Sequence, residues 1–522
     1  MKKFIKFGIV LICLGYILKD SHAATTKPNI IIILVDDMGF SDIGCYGSEI
    51  PTPNIDRLAN EGLKFTQFYN NGRCCPSRAS LVSGLYAHEV GVGHMIDVQD
   101  SPGYLGRLND NCVTLGEVMH TAGYYTAMVG KWHLGQEHGV VPWKRGFDRT
   151  FNSPDGGFYS SHSPRAELYL DGKKLSNKDP LLGDNWYTTD LWTDFSIRFI
   201  DDALVNKKPF LLYLAHNAPH FPLQAPEVDI AQFRGKYSLG WDKLRSQRYA
   251  NEIKLGVINE RWPLSPRSTN VKSWDSLSIS EQLRFQEIMA VYAACVSHMD
   301  KAIGRLITAL KERKLYDNTL ILFMSDNGGN AEAGPNGQAD GKIIGNADSY
   351  VRCGESWANL ENTPFRLYKH FNHEGGVSTP LIAHWPLGIK SHGELRLEPG
   401  HLIDIMPTCV EISGAHYPQS YKGNLILPME GKSLMAAFKN EPFEREAIYW
   451  EHEGNAAVRV GDWKLVRYHR DGDWELYNMK VDRTELNNLS YTEPQRVKDL
   501  EKLWTAWAYR THVLPYPAGK KF

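Results

Sequence analysis

A chain of 522 residues is too long for one small domain, and its 42% hydrophobic and 23% charged residues are ordinary globular composition. The formal net charge of -2 excludes the broad basic footprint of a nucleic-acid binder. An anionic partner must therefore be held by a few placed cations rather than by a general field. In chain order, the first segment reads as an export signal. Lys2 and Lys3 form a basic start, an apolar run from Phe4 to Leu18 is interrupted by Lys6, and Ser21-His22-Ala23 is a small-x-small cleavage motif. The expectation is a signal peptide over residues 1–23 and an exported protein, periplasmic or secreted. Lipid anchoring at Cys13 is the weaker alternative, because Val10-Leu11-Ile12 matches a lipidation site poorly. No later run is long and apolar enough to predict a membrane span.

Asn29–Val35 (NIIIILV) is a short continuous apolar run, as expected of a strand buried on both faces. Residues 125–129, 209–214 and 319–324 repeat the pattern. Between these runs lie punctuated helices. Thr52 with Pro53 predicts a helix start that ends near Gly62, and Thr114 with Glu117 predicts a capping box for a helix stopping at Gly123. A long helix is predicted over residues 280–314, where Met289, Tyr292, Val296, Met299, Ile303, Leu306 and Leu310 recur at three- and four-residue steps. The alternation predicts an α/β fold: a large mixed, mostly parallel sheet flanked by helices, with sites beyond the carboxyl ends of its strands. Residues 151–190 and 230–275 are rich in Gly, Pro, Trp and Tyr, and are expected to be loops over the site.

From about residue 430 the strands become short and polar-flanked, over 447–451, 456–460, 463–467 and 474–477, with a helix after Pro494. A smaller C-terminal α+β domain of short antiparallel strands is expected over residues 430–522, after a catalytic domain over 24–429. The eight cysteines, Cys13, Cys45, Cys74, Cys75, Cys112, Cys295, Cys353 and Cys409, show no CxxC pair or zinc spacing. One or more disulfides are open to an exported protein. Cys295 falls on the apolar stripe and reads as core.

The sharpest chemical signal is Cys74-Cys75-Pro76-Ser77-Arg78. Pro76 suits the first position of a helix and Gly84 its end, so Cys74 would stand beside a helix N-terminus, where backbone N–H groups and the dipole favour an anion. A vicinal disulfide or a reactive thiol is the bland alternative. Asp36 and Asp37 close the first strand, and adjacent carboxylates there repel unless a cation joins them; a solvated turn is the alternative. Asp326 and Asn327 close the strand over 319–324 in the same way, before Gly328-Gly329. Four oxygen donors without nitrogen or sulfur suit a hard cation, calcium or magnesium, better than zinc. Lys131 and His133, His220, and Lys369 each follow a predicted strand or precede a glycine pair; each alone is weak, but one sheet edge would gather them.

On these residues the chain resembles the sulfatase family. CCPSRASLVSG is similar to the signature whose first cysteine is oxidised to formylglycine, and VDDMG, GKWHLG, APHFPLQAP, SDNGG and KHFNHEGG resemble the family's other active-site segments in order. ELYNMKVDRTELNNL resembles the family's small terminal domain. Departures are Leu85, where Arg is common, and Ser83, where Thr is common. The resemblance implies an alkaline-phosphatase-like fold, a sulfuric ester hydrolase, and maturation of Cys74 by a formylglycine-generating enzyme. It implies one calcium ion held by Asp36, Asp37, Asp326, Asn327 and the modified Cys74. Arg78 and Lys131 are implied as supports of the formylglycine, His133 as contacting its hydroxyl, and His220 and Lys369 as binding the sulfate and assisting the leaving oxygen. One hydroxyl of the hydrated aldehyde would attack sulfur, and loss of a proton from the other would release sulfate. The aromatic-rich insertions imply a sulfated sugar as substrate, attacked by an exo-acting glycan sulfatase. The rivals are a phosphate or phosphonate ester hydrolase on the same scaffold and a non-catalytic binding protein that retains the fold.

Overall fold

The computed structural model describes residues 27–155, 160–161 and 167–517; the expected signal at 1–23 lies outside them. Among the described residues an eleven-stranded sheet forms the centre. Asn29–Val35 pairs in parallel with Phe210–Ala215 on one side and Thr319–Ser325 on the other. Beyond Phe210–Ala215 lie Tyr125–Lys131 and Arg149–Ser153, both parallel, and then the short antiparallel Leu168–Leu170 and Lys173–Leu175. Beyond Thr319–Ser325 lies Ser378–His384, antiparallel, and then Leu63–Tyr69, which carries Glu394–Arg396 and Gly400–His401 on its outer side. Two antiparallel steps restore the common direction. Val35, Tyr69, Lys131, Ala215 and Ser325 therefore all end at one edge, and Ser378–His384 begins there.

The apolar run at Asn29–Val35 is buried on both faces, as its composition predicts. Ile31, Ile33 and Val35 share a core with Met289, Val296, Met299 and Ile303 of the helix Ile279–Glu312. Ile30, Ile32 and Leu34 share the opposite core with Leu115, Val118 and Met119. The capping boxes Ser278–Glu281 and Thr114–Glu117 both form. Thr52 does not cap the helix Pro53–Asn60. Its hydroxyl accepts from the Gly44 N–H (2.8 Å), and Asp300 of the long helix instead accepts from the N–H groups of Asn54 and Ile55 (3.0 and 2.8 Å). A partner 245 residues away has taken over a local role.

The stretch 230–275 corrects the sequence reading, since it holds the sixteen-residue helix Gly240–Leu255. Its buried face includes Arg245, Arg248 and Glu252, which hides the apolar period. Arg248 pairs with Asp42 (2.6 Å) and Glu49 (2.8 Å), and Trp241 packs edge-on against Trp274 and Trp357. The stretch 151–190 is likewise partly regular: it adds two short strands to the sheet edge. The seven described cysteines are all free and buried, so no disulfide joins them, and Cys295 is core as expected.

Ile448–His452, Asn455–Val460, Trp463–Arg467 and Trp474–Asn478 form a four-stranded antiparallel sheet. One face packs on the helix Pro494–Arg510 through Leu500, Trp504 and Trp507. The other places Trp450, Ala457 and Val466 against Tyr69 and Val377 of the large domain. No helix among the described residues is long and apolar enough to cross a membrane.

Candidate active site

All ten candidate residues converge on the edge where the parallel strands end. Parallel register puts Val35 beside Ser325, so Asp36-Asp37 and Asp326-Asn327 leave the sheet side by side. The Asp326 N–H donates to Val35 O (3.0 Å) and the Asp37 N–H to Asp326 Oδ1 (3.3 Å). Lys131 ends its strand two places away in the sheet, and its ammonium donates to Asp36 Oδ2 (2.6 Å). Arg78 donates through Nε and Nη2 to Asp326 Oδ2 (3.1 and 2.8 Å) and through Nη1 to the Lys131 carbonyl (3.0 Å). Its Nη2 is also 3.4 Å from Asp36 Oδ2. On the other flank Lys369 contacts Asp37 Oδ1 at 2.7 Å, and His220 Nε2 lies 3.6 Å from Asp37 Oδ2.

The helix Cys74–Ser83 begins at Cys74, two residues earlier than Pro76 predicts. Arg73 is its extended N-cap, and Pro76 falls within the first turn, where its missing N–H removes no helical bond. Cys74 is thus the first helical residue. Gly84 ends the helix in the left-handed conformation (φ 73°). The Cys74 and Cys75 sulfurs and a ring nitrogen of His133 lie within 4.8 Å of one another. A hydrogen bond from Cys75, with Lys131 and His133 acting against burial, holds the Cys74 thiol well below its ordinary value. His133 reaches the site from a left-handed backbone position (φ 56°), as does Asp37 (φ 64°).

Asp36 Oδ1, Asn327 Oδ1 and His133 Nδ1 are buried without a hydrogen-bond partner. Orphaned oxygens this deep are unfavourable unless something positive meets them. Burial raises Asp36, yet Lys131, His220 and Arg78 pull it well below the carboxylate range. Asp326 is pushed well up, by burial and by the Asp36 charge beside it. Two carboxylates that resist joint ionisation, with unpaired oxygens and an all-oxygen donor set, fit a hard divalent cation. Burial lowers His220 against the pull of Asp37, so its ring is neutral. Asp37 raises Lys369 against the effect of burial, so its ammonium persists.

Three neighbours escaped the sequence reading. Asn330 donates to Asp37 Oδ2 (2.7 Å), and Arg73 pairs with Glu332 at the rim. Each lies within a few residues of a motif, but no residue type or spacing separates it from an ordinary polar side chain.

The sulfatase family model matches residues 28–415, and the model for the N-sulphoglucosamine sulphohydrolase C-terminal region matches residues 365–508. The chain belongs to the sulfatase family and is a sulfatase. It is 35% identical to an uncharacterised sulfatase of Schizosaccharomyces pombe over 95% of this chain and 96% of that one. It is 34% identical to an arylsulfatase of Klebsiella aerogenes (83% and 96% covered), and 28% identical to an N-acetylglucosamine-6-O-sulfatase of Bacteroides thetaiotaomicron (89% and 83%). Among solved structures, Ps i-CgsB in complex with k-i-k-neocarrahexaose is similar at TM-score 0.70 and 26% identity, covering 95% of both chains.

Proposed function

We propose that this sulfatase removes a sulfate ester from a sugar, working from the end of a glycan, with residue 74 oxidised to formylglycine and one calcium ion among Asp36, Asp37, Asp326 and Asn327. The observation that carries the reading is the meeting of a thiol at a helix start, an unpaired carboxylate oxygen of Asp36 beside an unpaired amide oxygen of Asn327, and three buried cations at one edge. The sugar part is supported by the relatives named for carbohydrate esters and by the oligosaccharide complex of Ps i-CgsB.

When present, the aldehyde and the cation supply an activated oxygen nucleophile and a Lewis acid. This chain's residues do the rest. Three carboxylates face Arg78, Lys131 and Lys369, so a divalent ion leaves the rim net positive for the sulfate anion. Arg78 fixes Asp326 and the Lys131 carbonyl, which holds the start of its helix to the sheet edge. His133, with an unpaired buried Nδ1, is placed to take a proton from residue 74. Of the two groups near Asp37, Lys369 carries a proton to give to the leaving oxygen, while neutral His220 accepts or relays one.

The test couples two measurements on protein made together with a formylglycine-generating enzyme. Mass analysis of the peptide bearing residue 74 should show its sulfur replaced by a carbonyl oxygen. Turnover on defined sulfated monosaccharides should exceed that on matched phosphates. A sulfur-containing residue 74 in fully active protein refutes the nucleophile, and faster phosphate turnover refutes the substrate class. Export and the division into residues 24–429 and 430–522 belong to the same proposal. Mature protein recovered outside the cytoplasm should start at Ala24, which N-terminal sequencing reads directly.

A further inference from the structure

We propose that His94, His370, His452 and Glu453 form a second metal site, for a zinc-class transition-metal ion, on the rim beside residue 74. The proposal does not rest on the proposed substrate. Three imidazoles surround one carboxylate. His370 Nδ1 lies 2.8 Å from Glu453 Oε2, His94 Nε2 3.2 Å from Oε1, and His452 Nε2 3.6 Å from Oε1. Ligand atoms of His370, His452 and Glu453 all fall within 4.8 Å of one another. Tetrahedral ligands about 2.0–2.1 Å from zinc stand roughly 3.4 Å apart, so these three need little closing to hold an ion, and His94, outside that group, must move in to make the fourth ligand.

The outer nitrogens make the stronger argument. A metal-bound histidine uses its other ring N–H on a carboxylate or carbonyl, which fixes tautomer and orientation. Each ring here has that partner. His94 Nδ1 is 2.8 Å from Asp97 Oδ1, His370 Nε2 is 2.8 Å from Glu332 Oε1, and His452 Nδ1 is 3.4 Å from the Gly93 carbonyl. The nitrogens left over all face Glu453. His452 is fully buried, and its Nε2, aimed into the cluster, has no hydrogen-bond partner. Arg73 also touches His370 Nε2, and its charge is met by Glu332. Imidazole nitrogen with one carboxylate suits zinc and its neighbours rather than calcium, which separates this cluster from the all-oxygen set at Asp36.

Four protein ligands leave no open position, so the ion would clamp rather than catalyse. It would join three segments: the loop carrying His94, the turn after Lys369, and the hairpin between Ile448–His452 and Asn455–Val460. The small sheet would thereby be fastened to loops that flank Cys74 and Lys369.

The probe is cobalt, whose tetrahedral complexes absorb visibly. Full-length protein, saturated with calcium and carrying Cys74→Ser and Cys75→Ser to remove the competing thiols, is titrated with Co2+. One equivalent should bind per chain with a tetrahedral absorption band, and zinc should displace it. His452→Gln and Glu453→Gln should abolish the band, and Asp97→Asn should weaken binding about 10–100-fold. If either ligand variant fails to fold by circular dichroism, His370→Gln, the most exposed of the three histidines, must lose the band instead. Absence of stoichiometric cobalt uptake, or uptake unchanged in these variants, overturns the proposal. So does a cluster that takes no metal but whose Glu453→Gln change raises the KM for a sulfated sugar, which would make it a polar sugar subsite.

Discussion

At the scale of single residues, Arg78 shows how much one side chain can hold. Its guanidinium is completely buried and contacts Asp326, Asp36 and the Lys131 carbonyl. Removing one partner of a buried ion network leaves uncompensated charge, an effect of about 3–5 kcal/mol. Arg78→Met should lower unfolding free energy by about that amount in denaturant titration and abolish turnover. A variant of unchanged stability would contradict the network. His401 and His216 make a second residue-level case. Burial depresses both imidazoles to about 3. His401 is also locked as a neutral tautomer: Nδ1 accepts from the Ile403 N–H (3.3 Å), and Nε2 donates to Asn71 Oδ1 (3.0 Å). Above pH 6.5 folded and unfolded chains carry the same protons at these sites. As pH falls from 6.5 toward 3, only the unfolded chain takes them up, so stability is lost by up to about 1.4 kcal/mol per pH unit per histidine. Unfolding titrations at pH 7, 6 and 5 should show the decline, and His401→Gln should make it shallower; parallel declines would rule out His401 as a contributor.

Secondary-structure elements carry the site to its place. Tyr125–Lys131 delivers Lys131 through Gly130, which sits at φ +107° with its α-carbon pressed against the neighbouring strand. A Cβ there would lie 1.9 Å from the Ala215 carbonyl oxygen. Gly130→Ala should therefore push Tyr125–Lys131 off Phe210–Ala215 and cut turnover at least tenfold, with a lower melting temperature; a neutral substitution would mean the strand end has slack. The helix Ile279–Glu312 offers a milder test. Ser278→Ala removes an exposed N-cap hydroxyl that accepts from the Glu281 N–H, and should reduce stability by about 1 kcal/mol without changing kcat/KM. Elements with local signals were legible: the Thr114–Glu117 capping box forms as its residue types and spacing predict. Gly240–Leu255 was not, because its inward face uses arginines and a glutamate whose partners come from remote segments. Thr52 misled for the same reason, since Asp300 supplies the cap.

On the scale of the whole molecule, the two sheets are joined by buried charge as well as aromatic packing. Lys464 of the small sheet contacts Glu374 and Glu485 (2.8 and 2.9 Å), and Glu374 also accepts from Arg483 (2.8 Å) and the Tyr69 hydroxyl (3.0 Å). Trp450 donates to the Asn70 carbonyl, on the segment that leads to Cys74 (2.7 Å). Glu374 stands five residues after Lys369, so the small sheet braces the loop that carries Lys369. Lys464→Met should cost about 3–5 kcal/mol and lower activity together with stability. Near- and far-ultraviolet circular dichroism should report one shared transition in the unmodified chain; separate transitions for the two sheets would show that the brace is weak.

Residue order by itself determined the alternation of apolar strands and helices, and hence a mostly parallel sheet, because burial on both faces demands continuous apolar runs. It also determined the candidate chemistry, because Asp36, Cys74, Asp326 and the basic residues lie in short distinctive segments next to those runs. Only the tertiary structure decided that Val35 and Ser325 are in register, that Asp36 Oδ1 and Asn327 Oδ1 are left unpaired, and that His94 and His370, from distant segments, join His452 around Glu453. Those facts depend on contacts between residues hundreds of positions apart, and local pattern carries no information about which remote partner a polar group will meet.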